Sequence, residues 1–461
     1  MRWHVRIRIA FQVLILIILL GVPLLLQSAS AADQNAPVHD NQTQLDQTPK
    51  QDAAAVQTAS TATVTMLTLN DCIDIALRKN PTIAASFFTV DVNRSLVGEA
   101  RSVYYPQLSA SALYDRVQPA SSSTSTTSYN QYTGSVSLNQ YITDFGRTSS
   151  QVEISKYNLE SARSNLNATQ DTIILSVKQA YYGVLVAKRN RDVEADVIKQ
   201  MQLHLDQAKA FYAVGTNARI DVINAEVNLS TAQLSLITAE NALKIAWVTL
   251  NNAMGTPDPP AYTIKDDLAF QKYPITLEEA TARAFENRPD LKSIVAQRQA
   301  AEENVSFARS GYYPNLSGNA NYYATGETTS SFLHGWSAGV VLTVPLFSGF
   351  LTQQQVAAAK SNLYVLRANE ESLRQQILLE IRQAYLNLLA AEASISTADL
   401  ASKQAKENLD LANGRYAAGV GSPIEVSDAF ALYVTAQANL TSALANYKTS
   451  QASIEKAMGI R

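Results

Sequence analysis

The side chains best placed to do chemistry in this 461-residue sequence are acids and tyrosines beside two glycine-containing breaks. Tyr212 to Val222 reads YAVGTNARIDV and Tyr416 to Val426 reads YAAGVGSPIEV, with an acid, Asp221 or Glu425, at the matching place. Asp428 follows Glu425 by three residues, so the two carboxylates share one helical face. Like charges crowded into a narrow space repel one another, which raises carboxyl pKa values and favours binding of cations. A plainer role stays open beside it, because acids in a first helical turn complement the helix dipole. Nothing else in the chain resembles a catalytic set: there is no phosphate loop, GxSxG elbow or HExxH. The four histidines (His4, His39, His204, His334) lie in no ligand-spaced motif, and His204 reads as a solvated residue on a rod. The single Cys72 excludes an internal disulfide and Cys-rich metal sites. Its setting, LTLNDCIDIAL, predicts a small half-buried residue in an amphipathic helix. The sequence therefore predicts no enzyme, no metal and no cofactor.

The elements that carry the two breaks come from an internal repeat. LTLNDCIDIALRKNP (from Leu67) matches ITLEEATARAFENRP (from Ile275), and RSVYYPQLSASALY matches RSGYYPNLSGNANYY, both at an offset of 208. KQAYYGVL matches RQAYLNLL, the breaks match, and Met254-Gly255 matches Met458-Gly459, all at 204. The length difference falls beside QPASSSTSTTSYN, a Ser/Thr loop in the first copy. Each copy reads as helix, two strands, very long helix, break, helix. From Gly146 to Tyr212 there is no proline, and Val152, Leu159, Leu166, Ile173, Ala180 and Ala187 recur every seven residues. Such a rod is about 100 Å long at ~1.5 Å per residue. Beyond each break, Ala225 to Ala253 and Ala429 to Ala457 alternate steps of four and three, a left-handed coiled-coil pattern. Each break is then a helical hairpin at the far end of its rod. Its tip is short and small: Val214, Gly215 and Thr216 in one copy, Ala418, Gly419 and Val420 in the other.

The N-terminus places this architecture outside the cytoplasm. Arg2, Arg6 and Arg8 precede an apolar run from Ile9 to Leu26, and Ala29-Ser30-Ala31 forms an A-x-A site, so residues 1–31 read as a signal peptide cleaved after Ala31. The length of the run leaves an uncleaved anchor as the alternative. No cysteine follows to carry a lipid. Residues 32–66 are an aperiodic Gln/Thr/Ala/Asp lead-in, 67–255 and 276–461 the two repeats, and 256–275 a Pro-rich linker. A net charge of −3 excludes a nucleic-acid footprint. After the signal, no apolar stretch reaches the ~18 residues of a spanning helix, so membrane entry would need strands. YTGSVSLNQY, NLSGNANYY and WSAGVVLTV alternate apolar with small or polar residues, as barrel strands around water do. QLSASALYD alternates less cleanly, with Leu113 on the polar side. Four strands cannot close a membrane barrel, whose usual minimum is about eight, so several chains must share one.

The sequence resembles the TolC-like outer-membrane efflux proteins over residues 67 to 461. The duplicated YYP, QYITDFGR with its counterpart VPLFSGF, QAY, the two glycine breaks and the terminal AMG carry the resemblance. It implies a mostly α fold with a membrane β-barrel portion: a homotrimer sharing twelve strands above a coiled-coil tunnel in the periplasm. It also implies outer-membrane lipid around the barrel, and a periplasmic adaptor with an inner-membrane RND or ABC pump as partners. Function would be that of a passive exit duct for efflux or one-step secretion. On this resemblance the tips 214–216 and 418–420 dock the adaptor, and Asp221, Tyr416, Glu425 and Asp428 form the periplasmic gate. The chain departs from the family archetype in having Gly421 where a basic residue follows the second tip's glycine; Arg219 lies in the other hairpin instead. Two competing readings are a trimeric coiled-coil spacer or adhesin on a short barrel, and a soluble periplasmic scaffold.

Overall fold

The structure, a computed structural model, describes residues 65–118, 127–216, 218–257, 259 and 261–461. The signal, its Ala31 site, nearly all of the lead-in and most of the Ser/Thr loop lie outside the described residues. Strand β1 (Thr65–Leu67) leads into α1 (Leu69–Lys79), α2 (Pro81–Ser102), β2 (Gln107–Val117), β3 (Tyr129–Thr143), α3 (Arg147–Ala213) and α4 (Arg219–Ala253). After β4 (Tyr262–Ile264) come α5 (Leu277–Asn287), α6 (Pro289–Arg309), β5 (Asn315–Gly326), β6 (Leu333–Thr343), α7 (Leu351–Ala417) and α8 (Pro423–Ala457). The rods α3 and α7 each run 67 residues, about 100 Å. Their returning partners α4 and α8 each run 35. Among the described residues, no helix is long and apolar enough to cross a membrane.

Proline cuts each leading helix in two. At Pro81 the Asn80 side chain accepts the Thr82 N–H and donates to the Ala253 carbonyl. At Pro289 the buried Arg288 guanidinium donates to Asp290 (2.6 Å), Glu380 (2.7 Å) and the Ala457 carbonyl (3.4 Å). Both joints lie against a glycine with positive φ that ends a returning helix. A Cβ on Gly255 (φ 70) would stand 2.7 Å from Asn80 Cα, and one on Gly459 (φ 70) 2.9 Å from Arg288 N. Close approach of backbone to backbone thus explains the MG pairs seen in the sequence.

Strands β2-β3-β5-β6 form one antiparallel sheet in that order, open at β2 and β6. Its register sets Leu108, Leu138, Ala320 and Ala338 in one row, and Ala110, Val136, Tyr322 and Trp336 in the next. The opposite face carries Ser111, Ser135, Ser137, Asn319 and Asn321, with Ser111 bonded to Ser135 and Ser137 to Asn321. Two chain reversals connect sheet to rods. Phe145 (φ 51) with Gly146 (φ 103), and Gly349 (φ 63) with Phe350 (φ 65), turn the chain through left-handed backbone into α3 and α7. The FGR and SGF motifs are these corners.

The four long helices pack in the order α4, α3, α8, α7, with α6 bridging α3 and α7. Small and hydroxyl side chains line the contact of α3 with α6, where Ser161 and Ser293 bond at 2.9 Å. The seam between α3 and α8 is pinned by Lys178–Glu455 (2.6 Å) and Arg461–Asp171 (2.7 Å). One apolar core surrounds Tyr181, Leu185, Leu250 and Met254, another Ile377, Ile381, Tyr447 and Ile454, and a third lies near the hairpins. Cys72 is fully buried in the first of these, deeper than its sequence pattern predicts, and burial pushes its thiol up to about 11. The linker is a strap: Tyr181 and Tyr447 donate to its Lys265 and Gln271 carbonyls, and Arg189 grips Asp266. Strand β4 in that strap pairs in parallel with β1, a contact between two three-residue strands.

Candidate functional site

Both hairpin turns are built the same way. At the first, the Val214, Gly215 and Thr216 N–H groups bond back to Ala210, Tyr212 and Phe211 carbonyls. At the second, Ala418, Gly419 and Val420 bond to Gly414, Tyr416 and Arg415. Gly215 (φ 78) and Gly419 (φ 74) take the left-handed residue that ends such a helix. The six tip residues are all exposed, Val214 and Val420 at 73% and 69%. An added Cβ on either tip glycine would meet nothing within 4 Å, so their surface is open to a closely packed partner.

The second turn departs from the first in its return. Ser422 caps α8 by accepting the Glu425 N–H (3.2 Å), with Pro423 as the first helical residue. Gly421 is folded tightly on the end of the rod, where a Cβ would lie 2.9 Å from Tyr416 N and 3.0 Å from Arg415 Cβ. Arg415 reaches over this turn to Glu425 (3.4 Å) and to the Val420 carbonyl (3.5 Å). The second hairpin therefore has a base of its own, four residues before the tip glycine. Arg219 is exposed at the start of α4.

A cavity of about 500 Å³ separates the two hairpins. Asp221 from α4, Tyr416 from α7 and Asp428 from α8 all line it. Glu425 does not; it is exposed and turned to Arg415. Tyr416 is buried, and burial followed by the charge of Asp221 raises its phenol pKa. Among the described residues, no hydrogen bond joins Tyr416 to Asp221. Above the cavity, Val197, Met201, Val426 and Phe430 pack with Tyr416 in the third core.

His204 is the residue the sequence reading placed wrongly. It is half-buried on the same cavity wall, not solvated, and its ring meets that of Tyr416 edge to face at 5.9 Å. Its position three after Met201 and four before Ala208 puts it on the seam face of α3, a signal present in the sequence. Arg415 was missed for a different reason, since its pairing with Glu425 depends on the turn between them. Farther up, α3, α4 and α8 border a hollow of about 1630 Å³. Ser176, Gln179, Thr238, Asn252 and Thr449 line it, and Glu194 is its one formally charged side chain. Ile173, Val186, Leu234 and Ile245 share the lining, so hydroxyl and amide groups are set in a mostly apolar wall. Among the described residues, no group of three or more His, Cys, Asp and Glu side chains is arranged to hold a metal ion.

Residues 72–256 and 281–460 match the family described as outer membrane efflux protein. The chain is 25% identical to outer membrane protein TolC of Escherichia coli over 406 residues, covering 82% of this chain and 80% of that protein. Protein CyaE of Bordetella pertussis is 25% identical over 379 residues, 80% of this chain and 79% of that one. The fold matches the Campylobacter jejuni CmeC outer membrane channel with a TM-score of 0.76 at 19% identity, covering 85% of each chain.

Proposed function

The chain belongs to the outer membrane efflux protein family and is a protein of the outer membrane, and from that premise we propose that three copies close into one conducting duct. The observation that carries this reading is an unpaired surface whose counterpart is paired. Helix α6 of the second repeat is packed between α3 and α7, with Ala296 and Ala300 only 2% and 7% exposed. The matching positions of α2, Phe88 and Val92, are 64% and 58% exposed. What covers α6 is the rod on its far side; what would cover α2 is rod α7 of another copy. The same operation sets edge strand β6 beside a second β2, and α7 beside a second α4. Both helical edges carry the apolar stripes this needs: Ile220, Val227, Leu234 and Val248 on α4, and Val365, Leu379, Leu386 and Leu400 on α7, spaced by sevens or multiples of seven. Such a contact joins unlike surfaces head to tail, the kind that makes a ring when its rotation closes. Three copies give twelve strands, within the range of membrane barrels.

In this duct the repeats alternate around the wall and the four hairpin helices of each chain form its periplasmic end. The exposed tips 214–216 and 418–420 dock a periplasmic adaptor, which receives cargo from an inner-membrane RND or ABC pump. Asp428 and Glu425 give the narrow end its acids, and Asp221 and Tyr416, which share the inter-hairpin cavity without a direct hydrogen bond between them, hold the first hairpin to the second. A spacer or adhesin would need neither a hollow nor rods that return. The test is reconstitution: the purified protein should be a trimer that conducts in planar bilayers. Phe88→Asp with Val92→Asp should leave a folded monomer without conductance. A monomeric, non-conducting parent protein would overturn the reading, as would a trimer indifferent to the double substitution. Gly215→Trp and Gly419→Trp should stop export while trimer and conductance persist; normal export by both would remove the tips from docking.

A further inference from the structure

His204 has surroundings that packing alone does not explain. Its Nε2 is buried with no hydrogen-bond partner, and so is the Oε1 of Gln207, its neighbour on α3. Gln207 from its own helix lies beside it and the Tyr416 ring from α7 meets it; Asp221 from α4 and Asp428 from α8 line the same cavity, but among the described residues neither carboxylate is within ion-pair distance of the imidazole. A leucine would fill such a seam position with no bare polar atom. The second repeat carries an exposed Asn408 at the equivalent place, so the imidazole belongs to the first hairpin only.

We propose that His204 is the proton-sensitive member of the inter-hairpin latch: neutral, it props Tyr416 between the hairpins, and protonated it leaves that position so the hairpins part. The proposal rests on the reading of Asp221 and Tyr416 as a latch. Its physical basis is donor counting. A neutral imidazole can be buried with one bare nitrogen, but an imidazolium has two N–H donors and a charge, both of which need partners or water. Burial lowers the pKa of His204, and contact with Gln207 opposes this less strongly. Parting the hairpins hydrates the ring and restores its ordinary pKa. The parted state therefore binds the proton more tightly, and falling pH favours it. Each unit of pKa difference between the two states multiplies the open-to-closed ratio by about ten, once pH is below both values.

The test is resting conductance of reconstituted trimers between about pH 7.5 and about pH 5, the range in which histidine changes charge. The parent should open several-fold on acidification. His204→Asn and His204→Gln, which cannot take the proton, should give flat profiles, with trimer yield checked by gel filtration. His204→Arg, charged throughout, should show the raised conductance already at neutral pH. If both neutral variants keep the parent's pH profile, the proposal is wrong. Asp221→Ala at neutral pH separates the two levels. If it raises conductance while the histidine variants titrate like the parent, the latch stands and His204 is not its sensor. If neither Asp221→Ala nor Tyr416→Phe alters conductance, the latch and this proposal fall together.

Discussion

Replacing Gly421 by alanine should unlatch the hairpins, and its contacts say by how much. The added Cβ would stand 2.9 Å from Tyr416 N, 3.0 Å from Arg415 Cβ and 3.1 Å from Arg415 carbonyl carbon. Two of the three are backbone atoms of the rod end, so the collision is relieved by shifting the turn, not by rotating a side chain. Overpacking of this kind costs about 1–3 kcal/mol. The atoms displaced belong to the residue that fills the latch and to the one that grips Glu425, so relieving the collision moves Tyr416 from the place it holds in the closed arrangement. If all of that cost is released on parting, the open-to-closed ratio rises by roughly 5- to 150-fold. Gly419→Ala is the matched control. Its φ of 74° imposes a left-handed strain of about 1–2 kcal/mol, but its surroundings are empty, and the strain stays with the turn whether or not the hairpins part. Single-channel recording should therefore show Gly421→Ala opening often and Gly419→Ala scarcely differing from the parent. Equal resting conductance in Gly421→Ala and parent, with both trimeric, would refute the coupling of this turn to the latch.

The joint at Arg288 predicts a stability change with a definite pH dependence. Arg288→Ala strands Asp290 and Glu380, each about a third exposed, and should cost about 2–3 kcal/mol, below the figure for fully buried pairs; Asn80→Ala, losing hydrogen bonds of an uncharged side chain, should cost about 1 kcal/mol in the same denaturant titration. Burial alone would raise the Asp290 carboxyl, but the hydrogen bonds and charge of Arg288 outweigh it and hold the carboxyl below its usual range. Its stabilisation is thus complete above the unfolded value of about 3.9 and lost as pH falls through the lower folded value, and Arg288→Ala should flatten that acid limb. At the tunnel mouth, multivalent cations added from the tip side should block conductance, and Glu425→Gln with Asp428→Asn should abolish the block. Because Arg415 already engages Glu425 at 3.4 Å, Asp428→Asn alone should weaken the block more than Glu425→Gln alone; the reverse order would mean that Asp428 faces away from the ions.

Most of this fold was written locally. A seven-residue period survives at any point along a rod, and an alternating strand shows its faces without its neighbours, so the rods, their breaks and the four strands could be read in sequence. The two three-residue strands β1 and β4 carry too little pattern to be seen, and only their pairing gives them meaning. The corners at Phe145 and Phe350 hold left-handed backbone at a bulky residue, where local preference predicts otherwise and the sheet-to-rod reversal prevails. At the hairpins, Asp221, Tyr416 and Asp428 line one cavity, a convergence that depends on how the two hairpins pack against each other. Glu425 stands apart because Arg415 holds it across a turn whose shape depends on Gly421 having no side chain.

The two repeats differ most where they meet a neighbour, and the difference bears on how the proposed ring would open. Within a chain the seam from first to second repeat is specified by small residues, hydroxyls and ion pairs: Ala296 and Ala300, Ser161 with Ser293, Lys178 with Glu455, Arg461 with Asp171. The surfaces left for the seam between chains are large and apolar: Phe88 and Val92 on α2, and the stripes of α4 and α7. That stripe on α4 reaches Ile220 and Ile223, one turn from the first tip, and on α7 it reaches Leu411 near the second. Burying such side chains contributes about 1.5–3 kcal/mol each, so in the proposed ring the between-chain seam would resist parting almost down to the tips. Inside each chain, the third core ends at Tyr416, and below it lies a polar cavity with two carboxylates and an unsatisfied imidazole. The weakest join is therefore the one between a chain's own hairpins, with the apolar core above as its pivot. On this reading the first hairpin of one copy and the second hairpin of the next move as a unit, and the duct opens at three intrachain latches while its trimer seams stay closed.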